Sequence, residues 1–584
     1  MKELKYLNKY FVKYKTLFIG GILITIIARI FALYTPKLVG NSMNVIEDYQ
    51  NQILSIDQTK DQLLQNILYI IAATLIAGIF TFLMRQSLVV MSRHIEFDLK
   101  NEVYEHYQKL SQSFYKRNRT GDLMNRISED VSKVRMYAGP AVMYGINTTI
   151  TFLVVITQMY LISPKLTLYT LIPLPFLSIV IFKLSRAINK RSTIYQQNLS
   201  SLASFTQEMF SGIRIIKAHS IETNIQQDFE VLSVDNKNKN LKLSFLNALF
   251  GPLMVFLIGL SNLIVIMVGG MFYINGSISH IGIIAEFILY VNMLIWPVAS
   301  LGWISSMVQE AEASQKRINE FLKEVPDIQN KEEQPTLIEG HITFNNVSFT
   351  YEDTNIVALK NVSFEINKGE TVALFGKTGS GKSTILSLIS RLYDIEKGSL
   401  LIDDKPIDKV NLESLRNAIA VVPQDAFLFS DTIKNNIKLG KQDATDQEVI
   451  DVAKKAVVDH NINAFRMGYD TILGERGITL SGGQKQRVSI ARALIKDAPI
   501  LLLDDSLSAV DTETEEAILH NLAKEMQSKT TIIVSHRVSV ARNVDKIIVL
   551  DNGEIIQQGN HQQLLSQEGY YKDLYEKQLT EKDF

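Results

Sequence analysis

The chain has 584 residues, which is enough for more than one domain. Its 60 Lys and Arg nearly balance its 61 Asp and Glu, so it lacks the basic excess that nucleic-acid binding needs, and we expect no nucleic-acid partner. The chain has no Cys, which excludes disulfide bonds and thiolate metal sites. Long apolar runs fill residues 1–310, whereas residues 340–584 have the composition of a soluble α/β protein.

Six apolar stretches in the first half are each long enough to cross a bilayer, which needs about 20 apolar residues per helix. The first follows a Lys-rich start and lacks a small-residue cleavage site, so we interpret it as a retained membrane helix rather than a signal peptide. Two long polar connections, 91–138 and 185–245, separate some of the stretches. The stretches are 17–34, 66–90, 139–162, 165–184, 246–274 and 281–307.

The distribution of charge predicts an orientation. Lys and Arg are abundant in the two long connections and scarce in the short turns and in the loop 45–63. Because cytoplasmic loops carry the excess of Lys and Arg, the N-terminus, both long connections and the second half of the chain are predicted to be cytoplasmic. The sequence therefore predicts a multi-pass protein of the cell membrane, with the lipid bilayer as a partner.

Two arginines, Arg29 and Arg85, lie inside predicted spans. A charge within the bilayer is costly and usually faces a water-filled cavity or a partner. One interpretation makes Arg29 a substrate-lining residue. In the other, Arg85 snorkels or pairs near a helix end. Glu286 is the only acid in any of the predicted spans.

A strand, a glycine-rich loop and a helix follow one another in the second half. Thr371–Phe375 is predicted to be a buried strand and Ser383 to begin the helix, and this context distinguishes a phosphate-binding loop from a chance match. Backbone N–H groups of such a loop wrap phosphates, and the helix N-terminus adds a favourable dipole. Lys382 is predicted to reach the β- and γ-phosphates, and the Ser383 hydroxyl to ligate Mg²⁺. The predicted nucleotide-binding residues of this loop are Gly376, Lys377, Thr378, Gly379, Ser380, Gly381, Lys382, Ser383 and Thr384.

A second apolar strand, Ile500–Leu503, ends at Asp504, where a carboxylate can hold Mg²⁺ through water. Asp505 follows, at the place where a general base must reach the attacking water. A glutamate there would extend its carboxylate about 1.5 Å farther, and a misplacement of about 1 Å can cost on the order of a hundredfold in rate. We therefore predict a weak hydrolytic site. The alternative is that Asp505 reaches the water by local adjustment.

Further segments complete a resemblance to the ABC exporter superfamily. Leu480-Ser481-Gly482-Gly483-Gln484 is similar to the family's signature sequence, and the resemblance covers essentially the whole chain. It implies a half-transporter of the type IV fold: an α-helical membrane domain of six transmembrane helices fused to an α/β P-loop ABC nucleotide-binding domain. It also implies ATP and Mg²⁺ as cofactors. By this resemblance Tyr351 stacks on adenine, Gln424 couples Mg²⁺ to the membrane domain and His536 senses the γ-phosphate. The resemblance also implies that Ser508–Asp511 crosses the dimer interface. The segments that it matches to the coupling helices are Gly474–Gly477, Phe114–Leu123 and Gln207–Lys217.

The segments 504–511 and 440–446 also resemble BmrC-type subunits of heterodimeric multidrug exporters from Gram-positive bacteria. In such pairs one subunit has Asp in place of the catalytic Glu and keeps an intact signature, as here. The resemblance implies a second half-transporter as partner, a small amphipathic substrate, and a signature that completes the partner's catalytic site. The implied catalytic residues are Asp505, Gln424 and His536, the implied metal ligands are Ser383, Gln424 and Asp504, and the implied signature contacts to ATP are Ser481, Gly482, Gly483 and Gln484.

The predicted domains are a transmembrane domain over 1–325, a linker over 326–340 and a nucleotide-binding domain over 341–584. Two alternatives remain open at this point. One is a homodimeric exporter, or a lipid or peptide translocator. The other is a membrane regulator that binds ATP without transporting anything. An importer is disfavoured because six spans fused ahead of the ATPase resemble the exporter layout. Multidrug transport rests on the resemblance alone.

Overall fold

The computed structural model describes residues 2–474, 477 and 479–582. Contacts divide the chain into two compact units. The first consists of Met1–Gln108 and Gly121–Glu324, and the second of Lys109–Thr120 and Val325–Phe584. A short segment from within the predicted transmembrane domain therefore groups with the unit that carries the phosphate-binding loop.

Helices build the first unit. Residues 120–162 form one long helical run, because two π-helical turns, Arg126–Asp130 and Tyr137–Ala141, connect its α-helical pieces. In chain order, the helices up to residue 322 are α1 (Asn8–Lys13), α2 (Lys15–Gln50), α3 (Ile56–Lys109), α4 (Gln112–Arg117), α5 (Thr120–Asn125), α6 (Val131–Met136), α7 (Val142–Ile162), α8 (Pro164–Leu171), α9 (Pro173–Ser211), α10 (Ile213–His219), α11 (Glu222–Ile274), α12 (Gly282–Met293) and α13 (Ile295–Leu322).

Five helical runs in the described chain are long and apolar enough to cross a membrane, and they contain five of the six predicted stretches except for residue 281. The remaining stretch, 165–184, is divided between α8 and α9, which meet at Ile172. Pro173 occupies the first turn of α9, a position where the missing N–H of proline does no harm. The five runs are Lys15–Gln50, Ile56–Lys109, Thr120–Ile162, Glu222–Ile274 and Gly282–Leu322.

The helix α3 shows two environments along its length. Leu68, Leu75 and Ile79 are 56–63 % exposed in its first half, whereas Met91 and Ile95 are fully buried farther along. A run of exposed aliphatic side chains would be unfavourable in water, but lipid tails solvate it well. The first half of α3 therefore carries the apolar surface of a membrane-spanning helix.

Strands form the framework of the second unit. The strands are β1 (Ile342–Tyr351), β2 (Ile356–Ile366), β3 (Thr371–Gly376), β4 (Lys397–Ile402), β5 (Lys405–Pro406), β6 (Ile419–Val422), β7 (Ile500–Asp504), β8 (Thr530–Val534), β9 (Lys546–Asp551) and β10 (Glu554–Gly559). Among these described strands, β2-β1-β4-β5 is an antiparallel sheet. The other sheet has the order β10-β9-β3-β8-β7-β6 and is parallel except for β10.

The parallel strands are buried on both faces, which explains why β3 and β7 are almost wholly apolar. One core, which includes Phe344, Leu374 and Ile385, fills the space between the two sheets and the helix that follows β3. A second core, which includes Val488 and Leu503, lies beneath the later helices. The helices of this unit that follow β3 are α14 (Lys382–Ile389), α15 (Leu412–Asn417), α16 (Ile433–Lys438), α17 (Asp446–Lys455), α18 (Asp459–Asn463), α19 (Gly482–Ile495), α20 (Thr512–Met526), α21 (His561–Leu565) and α22 (Tyr570–Lys582).

Candidate nucleotide-binding site

The phosphate-binding loop lies between β3 and α14, at the edge where the parallel strands end. Gly376 and Gly381 have φ angles of +143° and +100°, which glycine adopts without strain. A Cβ at Gly376 would clash with Leu550 O, and one at Gly381 would lie 2.5 Å from Ala358 O. A Cβ at Gly379 would meet nothing within 4 Å, so the tip of the loop is open to a ligand.

Lys382 holds its ammonium group inside this loop. Its Nζ donates to the backbone oxygens of Gly376 and Lys377, both at 2.8 Å, and the residue is only 6 % exposed. Burial lowers the pKa of Lys382, while the negative charges of Asp505 and Asp504 oppose that shift. A buried cation beside an open glycine-rich loop fits a polyphosphate chain.

Ser383 and Asp504 place two oxygen ligands side by side next to the loop. Ser383 Oγ donates to Asp504 Oδ1 at 2.9 Å. Burial raises the pKa of Asp504, the hydrogen bond from Ser383 and the charge of Lys382 lower it, and the like charge of Asp505 raises it. A hydroxyl and a carboxylate in this arrangement fit Mg²⁺, which binds few protein ligands and completes its shell with water and phosphate oxygens.

Asp505 and His536 line one cavity of about 210 Å³ at the ends of β7 and β8. Asp505 has φ +44°, a left-handed conformation in which Asp is several-fold enriched, and its N–H donates to Val534 O at 3.0 Å. Burial lowers the pKa of His536, the charge of Lys382 lowers it further, and Asp505 opposes both. The lowered pKa favours the neutral imidazole, in which one ring nitrogen donates a hydrogen bond and the other accepts one.

Tyr351, at the end of β1, is fixed in orientation by its neighbours. Its hydroxyl lies 3.1 Å from Thr384 Oγ1, and its ring packs edge-on against Phe349 and Tyr393 with centroids 4.9 and 5.4 Å away. Lys116, on the short helix α4, places Nζ 4.4 Å above the Tyr351 ring. The segment Lys109–Thr120 therefore touches the aromatic residue that the resemblance assigns to adenine. The sequence pattern alone gave no signal of this contact.

The signature segment begins α19 with a capping box. Ser481 Oγ accepts from the N–H of Gln484 at 3.3 Å, and Gln484 Oε1 accepts from the N–H of Ser481 at 3.0 Å. A Cβ at Gly483 would lie 2.9 Å from Ala509 O, whereas one at Gly482 would meet only Ala509 Cβ at 3.7 Å. Among the described residues, no hydrogen bond joins this segment to the phosphate-binding loop.

The loop 505–511 is joined by hydrogen bonds to α19, the helix that begins with the signature segment. Gln486 on α19 accepts from the N–H of Ala509 at 3.1 Å and donates to Ser508 Oγ at 3.4 Å. Ser508 Oγ in turn donates to Asp505 O at 2.9 Å. Gln486 and Ser508 therefore link α19 to the backbone of Asp505 through hydrogen bonds. Gln486 was not singled out from the sequence.

Gln424 follows β6 at the same edge of the sheet. Because β6 pairs with β7 so that Val422 lies opposite Leu503, Gln424 and Asp504 leave neighbouring strands. Gln424 is exposed, and within the described chain no hydrogen bond joins it to Asp504. In the predicted segment Gly474–Gly477, Glu475 and Arg476 lie outside the described residues.

A buried ion pair fixes the loop after β8. Glu515 on α20 is 1 % exposed, and it accepts from the Arg537 guanidinium and from Ser539 Oγ at 2.8 Å. The same guanidinium donates to Val510 O at 3.2 Å and to Ser508 O at 3.4 Å. Arg537 follows His536, so this pair ties the histidine loop to the loop that carries Asp505. Its members lie far apart in the chain, and no local pattern predicted them.

Glu515→Ala is expected to destabilise the second unit by about 1–3 kcal/mol, because the half-exposed Arg537 guanidinium and the Ser539 hydroxyl lose their carboxylate acceptor. For a unit of this size we expect thermal unfolding in lipid nanodiscs to shift down by roughly 2 °C or more. Glu513→Ala on the same helix is the matched control, since Glu513 is exposed and its loss should shift unfolding little. Equal shifts for the two variants would show that the ion pair contributes nothing beyond surface charge.

Comparisons with known proteins cover both halves of the chain. Residues 17–298 match the family described as ABC transporter transmembrane region, and residues 359–508 match the family described as ABC transporter. Multidrug resistance-like ATP-binding protein MdlA of Escherichia coli (strain K12) is 37% identical over 582 residues, covering 100% of this chain and 97% of that protein. Probable multidrug resistance ABC transporter ATP-binding/permease protein YheI of Bacillus subtilis (strain 168) is 37% identical over 577 residues, covering 98% and 97%. A solved structure of a bacterial Atm1-family ABC exporter with ATP bound has a TM-score of 0.81 at 26% identity, covering 96% of this chain and 99% of that chain.

The predicted fold class is confirmed: a helical membrane region precedes an α/β ABC domain, each matches its family, and the solved exporter structure covers 96% of the chain. The ABC domain is one that binds ATP, and the membrane region makes the chain a multi-pass membrane protein. The chain therefore belongs to the ABC transporter family, as an exporter half-transporter with an ATPase coupled to transport.

Proposed function

We propose that this chain is one subunit of a heterodimeric exporter that moves amphipathic compounds out of the cell. Asp505 carries the proposal. It directly follows Asp504 and shares a cavity with His536, the place where a general base is needed, but its carboxylate is one methylene shorter than that of glutamate. A poor base at this position leaves efficient hydrolysis to a second site, whose glutamate comes from a different subunit.

The two halves of such a pair contribute different groups to two composite sites. Lys382 and the glycine-rich loop of this chain hold the phosphates at the slow site. Ser383 and Asp504 would hold Mg²⁺, which neutralises phosphate charge when bound. The segment Ser481–Gln484 keeps a regular capped helix start, which supports its use at the partner's fast site.

Transport follows from a shift between two arrangements of the pair. ATP favours the closed arrangement because each molecule contacts the phosphate loop of one subunit and the signature of the other, and a ligand shifts an equilibrium by its differential affinity. Lys116 against Tyr351 supports a direct path from the nucleotide to the segment Lys109–Thr120. Gln424 and His536 complete the proposed set that responds to hydrolysis.

The substrate class and the orientation are also proposals. The names of the two relatives reported above refer to multidrug resistance, which supports amphipathic drugs as substrates. The excess of Lys and Arg in the two long connections supports a cytoplasmic N-terminus and a cytoplasmic nucleotide-binding unit in the cell membrane.

Steady-state ATP hydrolysis by this chain, purified alone in lipid, tests the heterodimer proposal. Lys382→Ala supplies the blank. We expect turnover at the level of the blank, because every site of a self-dimer would contain Asp505. Turnover in the usual enzyme range of about 1–10³ per second would refute the proposal and favour a homodimer.

Crosslinking in native membranes provides the second arm. A crosslinked product with a different half-transporter supports the pair, whereas self-dimers alone would contradict it. Transport itself is tested with the isolated pair in vesicles and a broad panel of fluorescent amphipaths. Uptake that never depends on ATP would favour a membrane regulator over an exporter.

A further inference from the structure

Two arginines in the membrane helices have no partner among the residues that the structure describes. Arg29 on α2 and Arg85 on α3 make no hydrogen bond or ion pair with other described residues, and Arg29 Nε is buried without an acceptor. An unpaired charge among membrane helices is costly and is usually retained for function. Glu286, the acid predicted within a span, forms no ion pair with either arginine in the described part of the chain, and its Oε1 accepts from Tyr290 Oη at 2.7 Å.

Both arginines converge on one cavity of about 210 Å³ between α2, α3, α7 and the start of α13. Asn147 on α7 also lines it; this residue is 8 % exposed, and its Oδ1 is buried without a partner. A half-turn of the amide exchanges its oxygen and nitrogen, so Asn147 can present N–H donors instead. The described residues that line this cavity include no carboxylate. The cavity therefore gathers two cations and a free amide with nothing anionic to bind them.

A larger apolar cavity, of about 570 Å³, adjoins the first and shares Arg85, Met143 and Tyr144 with it. Phe82 and Trp303 form part of its wall. Tyr144 lines both cavities, and its ring centroid lies 5.2 Å from that of Trp303 and 6.5 Å from that of Trp296. Arg29 lines only the smaller cavity and Trp303 only the larger, whereas Arg85 lines both, so cationic and aromatic side chains adjoin along the combined volume.

We propose that these adjoining cavities bind amphipathic anions. A carboxylate, sulfonate or phosphate group is held by Arg29, Arg85 and Asn147, and the apolar body lies along Tyr144 and Trp303. Charge-assisted hydrogen bonds to guanidinium groups are the strongest that such a head group can form, and the aromatic rings provide apolar surface. As an assignment of the transported substrate, this inference rests on the proposed export function. As an assignment of a binding site, it does not.

Snorkelling explains less of this arrangement. Snorkelling accounts for a single arginine near a helix end. It does not explain why two arginines line one cavity, or why the buried amide beside them has no partner among the described residues. Thr151 does not satisfy that amide, because its hydroxyl donates to the backbone oxygen of Asn147 at 2.8 Å.

The chain's two tryptophans, Trp296 and Trp303, both line the cavities and provide an intrinsic readout. Energy transfer from these residues to a bound dye is measured on the full chain in phosphatidylcholine nanodiscs. The dye pair is anilinonaphthalene sulfonate, an amphipathic anion, and phenylnaphthylamine, a neutral compound with the same ring system. We expect the anion to bind more tightly, and Arg29→Gln or Arg85→Gln to weaken its binding roughly tenfold or more. Binding of the neutral dye should be unchanged.

Two variants keep this test decisive. Arg93→Gln removes a positive charge from the same helix, where Arg93 pairs with Glu96 at 3.0 Å, and should leave binding of the anion intact. Arg29→Lys retains the charge and should recover most of the affinity lost in Arg29→Gln. Because Arg29 has no partner, Arg29→Gln should unfold at the same temperature as the parent or higher. Equal binding of both dyes, or an anion affinity that neither arginine variant changes, would overturn the proposal.

A further arm distinguishes an exported compound from a membrane lipid. If phosphatidylglycerol in the nanodiscs displaces the dye anion in an Arg29-dependent manner, the site binds an anionic amphipath and its source is the bilayer. If it does not, the site binds the anion and discriminates against lipid. ATP-driven vesicle uptake of the neutral dye without arginine-dependent anion binding would leave the export function standing and remove this inference. Arginine-dependent anion binding without ATP-driven uptake of any dye would support the binding site and contradict the export function.

Discussion

Asp505→Glu is expected to raise the ATP turnover of this chain, assayed alone in lipid, by roughly a hundredfold. The added methylene carries the carboxylate farther into the cavity that Asp505 shares with His536, toward the water that a general base must reach. The backbone hydrogen bond from the N–H of residue 505 to Val534 O is kept whichever side chain is present, although φ +44° favours Asp over Glu at this position. Steady-state phosphate release, compared with Lys382→Ala, is the measurement.

Asp505→Gln is the matched control for this gain. Glutamine has the length of glutamate but no basic carboxylate, so its turnover should stay at the level of the parent chain. If Gln raised turnover as much as Glu, the length of the side chain rather than its basicity would limit the site. If neither variant raised turnover, the weakness of the site would originate outside position 505, and Asp505 would no longer support a heterodimer.

Local patterns sufficed for the elements around the phosphate loop. A run of apolar residues, a glycine-rich turn and a helix start lie within 20 residues of one another, and β3 and α14 occupy those positions in the structure. The structure of the predicted span 165–184 was harder to predict, because a hydropathy pattern does not show that the chain divides at Pro173 into two helices. The assignment of Lys109–Thr120 to the second unit depends on packing between distant parts of the chain, which periodicity does not report.

The contacts that position the site were harder to predict than its ligands. Lys382, Ser383 and Asp504 belong to sequence patterns with a chemical reason, and the structure brings them together. Glu515 and Arg537 have no such pattern, since a charged residue on an amphipathic helix is usually solvated. Burial of Glu515 becomes visible only when β8 and α20 are placed side by side. The roles assigned to the ligands remain predictions that the variants of residues 505 and 483 address.

Gly483→Ala in this chain is expected to lower the ATP turnover of the pair isolated from native membranes by roughly a hundredfold. A Cβ at this position would lie 2.9 Å from Ala509 O, so either the start of α19 or the loop 505–511 must move. The start of α19 contains Ser481–Gln484, the segment proposed to complete the partner's fast site, and its displacement would weaken that site. Asp505→Asn should barely change the same turnover, because the slow site contributes little of it.

Gly482→Ala separates the clash from the general effect of alanine on a helix. Both substitutions raise helix propensity in the first turn of α19, but a Cβ at Gly482 meets only Ala509 Cβ at an ordinary 3.7 Å. Gly482→Ala should therefore keep or raise the thermal unfolding temperature, while Gly483→Ala lowers it. If Asp505→Asn reduced the turnover of the pair as much as Gly483→Ala does, both composite sites would carry the flux. Asp505 would then act as a competent base, and the asymmetry proposed for the pair would have no chemical basis.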